Sequence, residues 1–218
     1  RQGPSISLQI NKLRTPSCAQ PTVGHMATAK IYDAELDPTK HEIAARFSSI
    51  AQLEGSYRAV DRDDKVGIEV LVGRDEEGNL TQCGVSYREE KGALDDALCP
   101  LSHSVLGPRS VAQLTADPVA VREFAQLILR GDNGADFSTG EPIFGVRGTG
   151  GEQVHVDDVV VEEHDKLNSV GTLTVDGEEK RYQLRLQRII SALPAAEDGD
   201  LALVRDDGAI LMNLGLWD

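Results

Sequence analysis

Residues 101–111, LSHSVLGPRSV, bring two serines, a histidine and an arginine into one short span just after Cys99 and Pro100. Acyl-transfer chemistry needs a nucleophile within hydrogen-bond reach of a base that a third group orients. Ser102 and Ser104 flank His103 directly. Neighbours on an extended chain point to opposite faces, so no serine–histidine pair forms locally. Cys99 has no adjacent cation to lower its pKa, and the glycine-flanked strand–turn–helix elbow of hydrolases is absent. The stretch therefore reads as a turn at the junction of two halves of the chain, with Gly107-Pro108 ending a loop and launching the strand RSVAQL.

Three other stretches invite chemistry. In HVDDVVVEEHD (155–165) His155 and Asp157 share one strand face, while His164 and Asp165 add ligands only if the chain folds back. A metal needs convergent geometry that this spacing does not impose, and acids alternating with valines read as the solvated face of a sheet. RGDNGADFSTGEP holds Asp132 and Asp136, the residue type that phosphoryl transfer uses. In that chemistry, however, the two acids sit on separate loops. No glycine-rich loop ending in Lys-Ser/Thr occurs, and GVRGTGG (145–151) lacks the strand-to-helix setting that aims amides at phosphate. The motifs call for no catalytic residue, no metal set and no cofactor. His103, Arg109, Arg147 and Arg185 are candidate donors to an anionic ligand in a pocket between the halves.

The elements that must position these residues alternate between one helix and a run of strands. AKIYDAEL (29–36) reads as a strand. Thr39 with Glu42 forms a capping box for a helix of about three turns, carrying Ile43, Phe47 and Ile50 on one face. Strands follow at GSYRAVD (55–61), VGIEVLVGR (66–74) and LTQCGVSYRE (80–89), the last two joined through DEEGN. The second half opens on ADPVAVREFAQLILRGD, with Asp117 as cap, Pro118 at the first helical position and Gly131 at the end. Strands then fall at IFGVRG (143–148), VHVDDVVV (154–161), SVGTLTVD (169–176), EKRYQLRLQRII (179–190) and a final hairpin around RDDG. Hairpin-length turns outnumber helical crossovers, which predicts an α+β fold of two halves, each a helix packed on an antiparallel meander. The halves span 26–114 and 115–218.

Composition bounds the partners. Acidic residues number 36 against 22 basic ones, for a formal net charge of −14, which argues against nucleic acid and anionic membranes. No run approaches the roughly 20 apolar residues of a membrane span. Three cysteines, Cys18, Cys83 and Cys99, form no disulfide or zinc pattern and favour a cytoplasmic setting. Residues 1–25 are polar, contain proline and lack a signal-peptide pattern. With Met26 opening MATAKIYDAEL, they read as a leader or cloning remnant.

The ordered series MATAKIYDAELDPTKHEIAARF, GSYRAVD, VGIEVLVGRD, GVSYRE, HSVLGPR and DPVAV resembles the actinobacterial proteins that carry a maltokinase N-terminal cap-like domain. Some of those stand alone and are labelled as glucan-branching-related. The likeness covers 26–130 and thins over 131–218; His103 to Gly107 and Asp117-Pro118-Val119 carry most of it. It implies a cystatin-like first half. In maltokinases this cap precedes a kinase-like lobe and a catalytic lobe, and the whole enzyme phosphorylates maltose with ATP beside trehalose synthase. The chain departs from the pattern at Ser110, Ala112 and Gln113, where the family carries an aromatic pair and an acid. LNSVGTLTVDGEEKRYQLRLQR is similar to the nucleotide-covering strands of a kinase N-lobe, with Arg185 in place of the nucleotide lysine, and arginine is a poor stand-in for that flexible point charge. No counterpart of the catalytic lobe is present in this sequence. The resemblance thus implies a non-catalytic accessory or regulatory module of α-glucan and trehalose metabolism, with maltokinase or trehalose synthase as partner. The alternative is a small-molecule binding protein for a nucleotide or sugar phosphate.

Overall fold

The capping box at Thr39 forms as its spacing requires. The Glu42 amide donates to Thr39 Oγ1 at 3.2 Å, and the Thr39 amide donates back to the Glu42 carboxylate at 2.8 Å. These bonds satisfy two amides that would otherwise be orphaned at the helix start, but α1 runs only Lys40–Phe47, about two turns rather than the expected three, and Ile50 lies beyond its Ser48 cap. The computed structural model describes residues 27–191, 195–197 and 199–218. The segment 1–25, with Cys18, lies outside the described residues.

The first sheet is antiparallel throughout. It comprises β2 (Leu36–Asp37), β6 (Cys99–His103), β7 (Gly107–Gln113), β5 (Leu80–Glu89), β4 (Gly67–Arg74) and β3 (Gln52–Val60), in that spatial order. Alternation along β4 and β5 splits the side chains between two faces. Leu71 and Val85, with Leu101 and Val111, pack against Ile43 and Ala44 of α1 and against Ile50. Ile68, Val70 and Val72 point the other way, with Tyr57 and Ala59 of β3, into a larger core.

Two sequence expectations need correction here. The alternation in 29–36 predicts one strand, but only its ends pair: β1 (Thr28–Ala29) runs parallel to β8 (Asp136–Phe137), and β2 pairs with β6. Between them the chain crosses the sheet face as a strap, held at Ile31 by Ser138 and at Glu35 by Ser104. Alternation makes a strand only where a neighbouring edge accepts its hydrogen bonds. LSHSVLGPRSV, in turn, is not a junction but the β6–β7 hairpin inside the first sheet, with His103 opposite Gly107. Pro100 and Pro108 sit within paired positions and mask the strand signal.

The crossing to the second sheet comes later, through a 3₁₀ turn at Leu114–Ala116 and α2 (Pro118–Arg130). Asp117 caps α2 by accepting the Val119 amide at 2.9 Å, and Gly131 closes it at φ 68°, the left-handed conformation glycine adopts without steric cost. The second sheet orders β10 (Val156–His164), β11 (Asn168–Val175), β12 (Glu178–Leu186), β14 (Ile210–Trp217), β13 (Ala202–Arg205) and β9 (Val146–Gly148). IFGVRG contributes only its last three residues as strand.

Helix α2 is buried on almost every side, with Val121, Phe124, Ala125 and Ile128 fully so. Its residues share one cluster with Tyr57 and Val70 of the first sheet and with Leu173, Leu184, Leu203 and Leu211 of the second or its turns. Each large side chain so buried stabilises the fold by about 1.5–3 kcal/mol. The result is a mixed fold with two helices among the described residues and mostly antiparallel sheets, as the α+β expectation has it. Among the described residues no helix is long and apolar enough to cross a membrane.

Candidate functional site

Helix α1 covers only part of the first sheet's outer face. Beyond its N-terminus the strap 29–36 bridges the same face, and a cavity of about 520 Å³ lies beneath it. That volume falls within the range of small-molecule sites. The floor comes from side chains one pleat apart: Arg58 on β3, Tyr87 and Glu89 on β5, Arg109 on β7, and Leu101 and His103 on β6. Tyr32, Ala34 and Leu36 of the strap, Lys40 of α1 and Leu106 of the hairpin tip complete the walls.

Three of the lining residues, Lys40, Arg58 and Tyr87, hold a fully buried carboxylate. Glu69 Oε1 accepts from Lys40 Nζ at 2.8 Å and from Ser56 Oγ at 2.6 Å. Its Oε2 faces Arg58 Nη2 at 2.9 Å and accepts from Tyr87 Oη at 3.0 Å. Burial by itself would raise the Glu69 pKa, but Arg58 and Lys40, with the hydrogen bonds from Lys40 and Ser56, bring it down to about 2. An ionised carboxylate is tolerated there because two cations and two hydroxyls replace its water.

The opposite end holds Arg109 and His103. The Nδ1 of His103 accepts the backbone N–H of Val105 at 3.2 Å and of Leu106 at 3.1 Å, so in the neutral ring the proton sits on Nε2. Burial and the neighbouring Arg109 charge both push the His103 pKa below its usual value, favouring that neutral, Nε2-donating form. Tyr32 packs edge-on against the imidazole with centroids 5.8 Å apart. Arg109 makes no ion pair among the described residues, and its buried Nε has no hydrogen-bond partner. Arg58 Nε, on the other side of the cavity, is also buried without a partner. Unsatisfied buried donors are costly; these two line a space open to an acceptor.

The acids that line the cavity are all engaged. Asp61 accepts the amides of Asp63, Lys65 and Val66 and pairs with Arg122. Asp64 pairs with Lys30, and Glu89 with Lys91.

Of the four candidate donors, His103 and Arg109 come together here. Arg147 is exposed on β9 and Arg185 is exposed on β12, both in the other sheet. The cavity sits on the α1 side of the first sheet rather than in the α2-filled space between the two sheets. His155 and Asp157 lie 3.2 Å apart beside Arg62, whereas His164 pairs with Asp96 at 2.7 Å at the far end of β10. Asp132 faces Arg130 at 3.0 Å, and Asp136 lies in the β1–β8 pair. Among the described residues no group of three or more His, Cys, Asp or Glu side chains converges as for a metal. Cys99 is partly buried, and burial raises its thiol pKa.

Sequence reasoning missed Arg58, Tyr87 and Glu69. One signal was available: Glu69 interrupts the otherwise apolar run VGIEVLVG, and a charge in a buried strand demands a partner. No protein-family model and no curated protein matches the chain.

Proposed function

We propose that this chain is a binding protein for a small organic anion, held in the cavity under the 29–36 strap, and that it has no catalytic activity of its own. The observation that carries the reading is Arg109, a guanidinium at a cavity wall that makes no ion pair among the described residues and has a buried N–H left unbonded, its cross-strand neighbour Glu89 being turned to Lys91. A cavity wall that keeps an arginine out of any ion pair in a protein of net charge −14 favours an anionic ligand. His103 serves as a donor rather than as a general base. Its Nδ1 is taken by the hairpin turn, and no carboxylate pairs with the ring to orient it.

The resemblance to maltokinase cap-like proteins supplies the setting. It supports a cytoplasmic accessory or regulatory module of α-glucan and trehalose metabolism, built as two helix-plus-sheet halves of which 26–114 is cystatin-like. The packing of α1 across one face of the antiparallel first sheet is in keeping with that first half. Maltokinase or trehalose synthase would then be the protein partner that senses the bound state.

The test is a thermal-shift titration of residues 26–218 against magnesium-ATP, maltose, maltose 1-phosphate, trehalose and simple organic acids. A ligand at about 100 times its dissociation constant stabilises the fold by about 2.7 kcal/mol. A saturable rise in Tm with an anion, lost in Arg109→Gln, is the expected result. A flat response to every anion overturns the reading.

A further inference from the structure

The chemistry of the cavity wall narrows the ligand further. We propose that the ligand is an apolar organic carboxylate, an aliphatic or aromatic acid, with its carboxylate between Arg109 and His103 and its body against the leucines of the strap and hairpin. This rests on the reading of the cavity as a binding site and adds the ligand's chemical class to it.

The anion end offers one full charge. Arg109 makes no ion pair among the described residues, its cross-strand neighbour Glu89 being bonded to Lys91, whereas His103 is held toward the neutral form and donates through Nε2–H. Lys40 and Arg58 are already committed to Glu69, and Lys30 to Asp64. Lys65 stands in water at the rim, where solvent screens it. One fixed guanidinium charge beside a neutral donor matches a monoanion, and the planar fork of arginine fits a carboxylate. A phosphate monoester, carrying about −1.5 to −2 charges at pH 7, would be left partly uncompensated.

The body of the ligand follows from what the wall lacks. No serine, threonine, asparagine or glutamine lines the cavity, and each of its acids already has its partners. A polyhydroxylated sugar would bury hydroxyls without partners, at the usual cost of unmet hydrogen bonds. Ile31, Leu36, Leu101 and Leu106 offer apolar surface instead, with Tyr32 at the mouth. Leu106 and Tyr32 are exposed at 39% and 41%, and a bound apolar chain would cover them. Burial of such a chain is the main source of its affinity.

The experiment is isothermal titration calorimetry of the full chain at pH 7.5 with octanoate, 1-octanol and glucose 1-phosphate. Octanoate is expected to bind one to one, about tenfold or more tighter than its uncharged isostere, with glucose 1-phosphate weaker still. Arg109→Gln should bring octanoate down to the affinity of 1-octanol. Leu106→Glu, an exposed change that leaves folding intact, should weaken octanoate by placing an acid at the mouth. Equal binding of octanoate by wild type and both variants overturns the proposal. Tighter binding of glucose 1-phosphate than octanoate overturns the carboxylate class but leaves the anion-binding reading standing. Absence of binding by both anions overturns the two together.

Discussion

Glu69 and Asp117 are the residues on which single substitutions should act hardest, because each is a fully buried carboxylate held by cations. Breaking such a pair by removing one partner costs about 3–5 kcal/mol, since the remaining charge stays buried. Glu69→Gln leaves Lys40 and Arg58 uncompensated, and urea unfolding should show a loss of that order. The pH dependence follows from the lowered pKa. The folded carboxyl titrates near 2 against an ordinary 4.5, so its contribution is complete above about pH 4.5 and is lost as pH falls toward 2. Stability measured between pH 6 and pH 3 should therefore decline less steeply in Glu69→Gln than in wild type. At Asp117 the carboxylate both caps α2 and takes two bonds from Arg88, at 2.7 and 2.5 Å. Asp117→Ala should cost more than the ~1 kcal/mol of an ordinary cap, and an Arg88→Met, Asp117→Ala double variant should recover part of the loss. The capping role of Asp117 was legible in the sequence; its partner, 29 positions away, was not.

Among the elements, α2 was the clearest in the sequence and is the least tolerant of its surroundings. Its last turn meets backbone directly: a Cβ on Gly150 would stand 2.1 Å from the Leu129 carbonyl oxygen. The same approach lets the Gly150 amide donate to the Ile128 carbonyl at 2.9 Å, a stronger partner for that helix-end carbonyl than the Gly131 amide at 3.3 Å. Gly150→Ala should destabilise by about 1–3 kcal/mol, measured by thermal or urea unfolding, while Gly151→Ala one position on, with open space at its Cβ, should be close to neutral. The glycines of GVRGTGG thus serve packing as well as turn formation. β6 and the strap 29–36 were the elements misread. Prolines hid the first, and apolar alternation overstated the second, because pairing edges are set by chain folding rather than by local pattern.

Over the whole molecule, one apolar cluster runs from Val70 of the first sheet through Phe124 of α2 to Leu184 of the second. Gln82 pins the sheets together: its Nε2 donates to the carbonyls of Gln187 and Leu211, both at 2.7 Å, and its Oε1 accepts from Tyr57 at 2.8 Å. A core shared in this way should unfold as one cooperative unit. Trp217, the lone tryptophan, reports on the second sheet by fluorescence, and far-ultraviolet circular dichroism reports on both. Their urea transitions should coincide, and two separated midpoints would contradict a shared core. The sequence by itself determined the α+β class, the start of each helix with its N-cap, and the order of the long strands, because capping, turn chemistry and periodicity act within a few residues. Only the tertiary structure decided that His103 and Arg109 face one cavity with Arg58 and Tyr87 while Arg147 and Arg185 stand apart. That outcome depends on strand order and on which pleat faces the strap, and a side chain's neighbours across a sheet are chosen by pairings dozens of residues away.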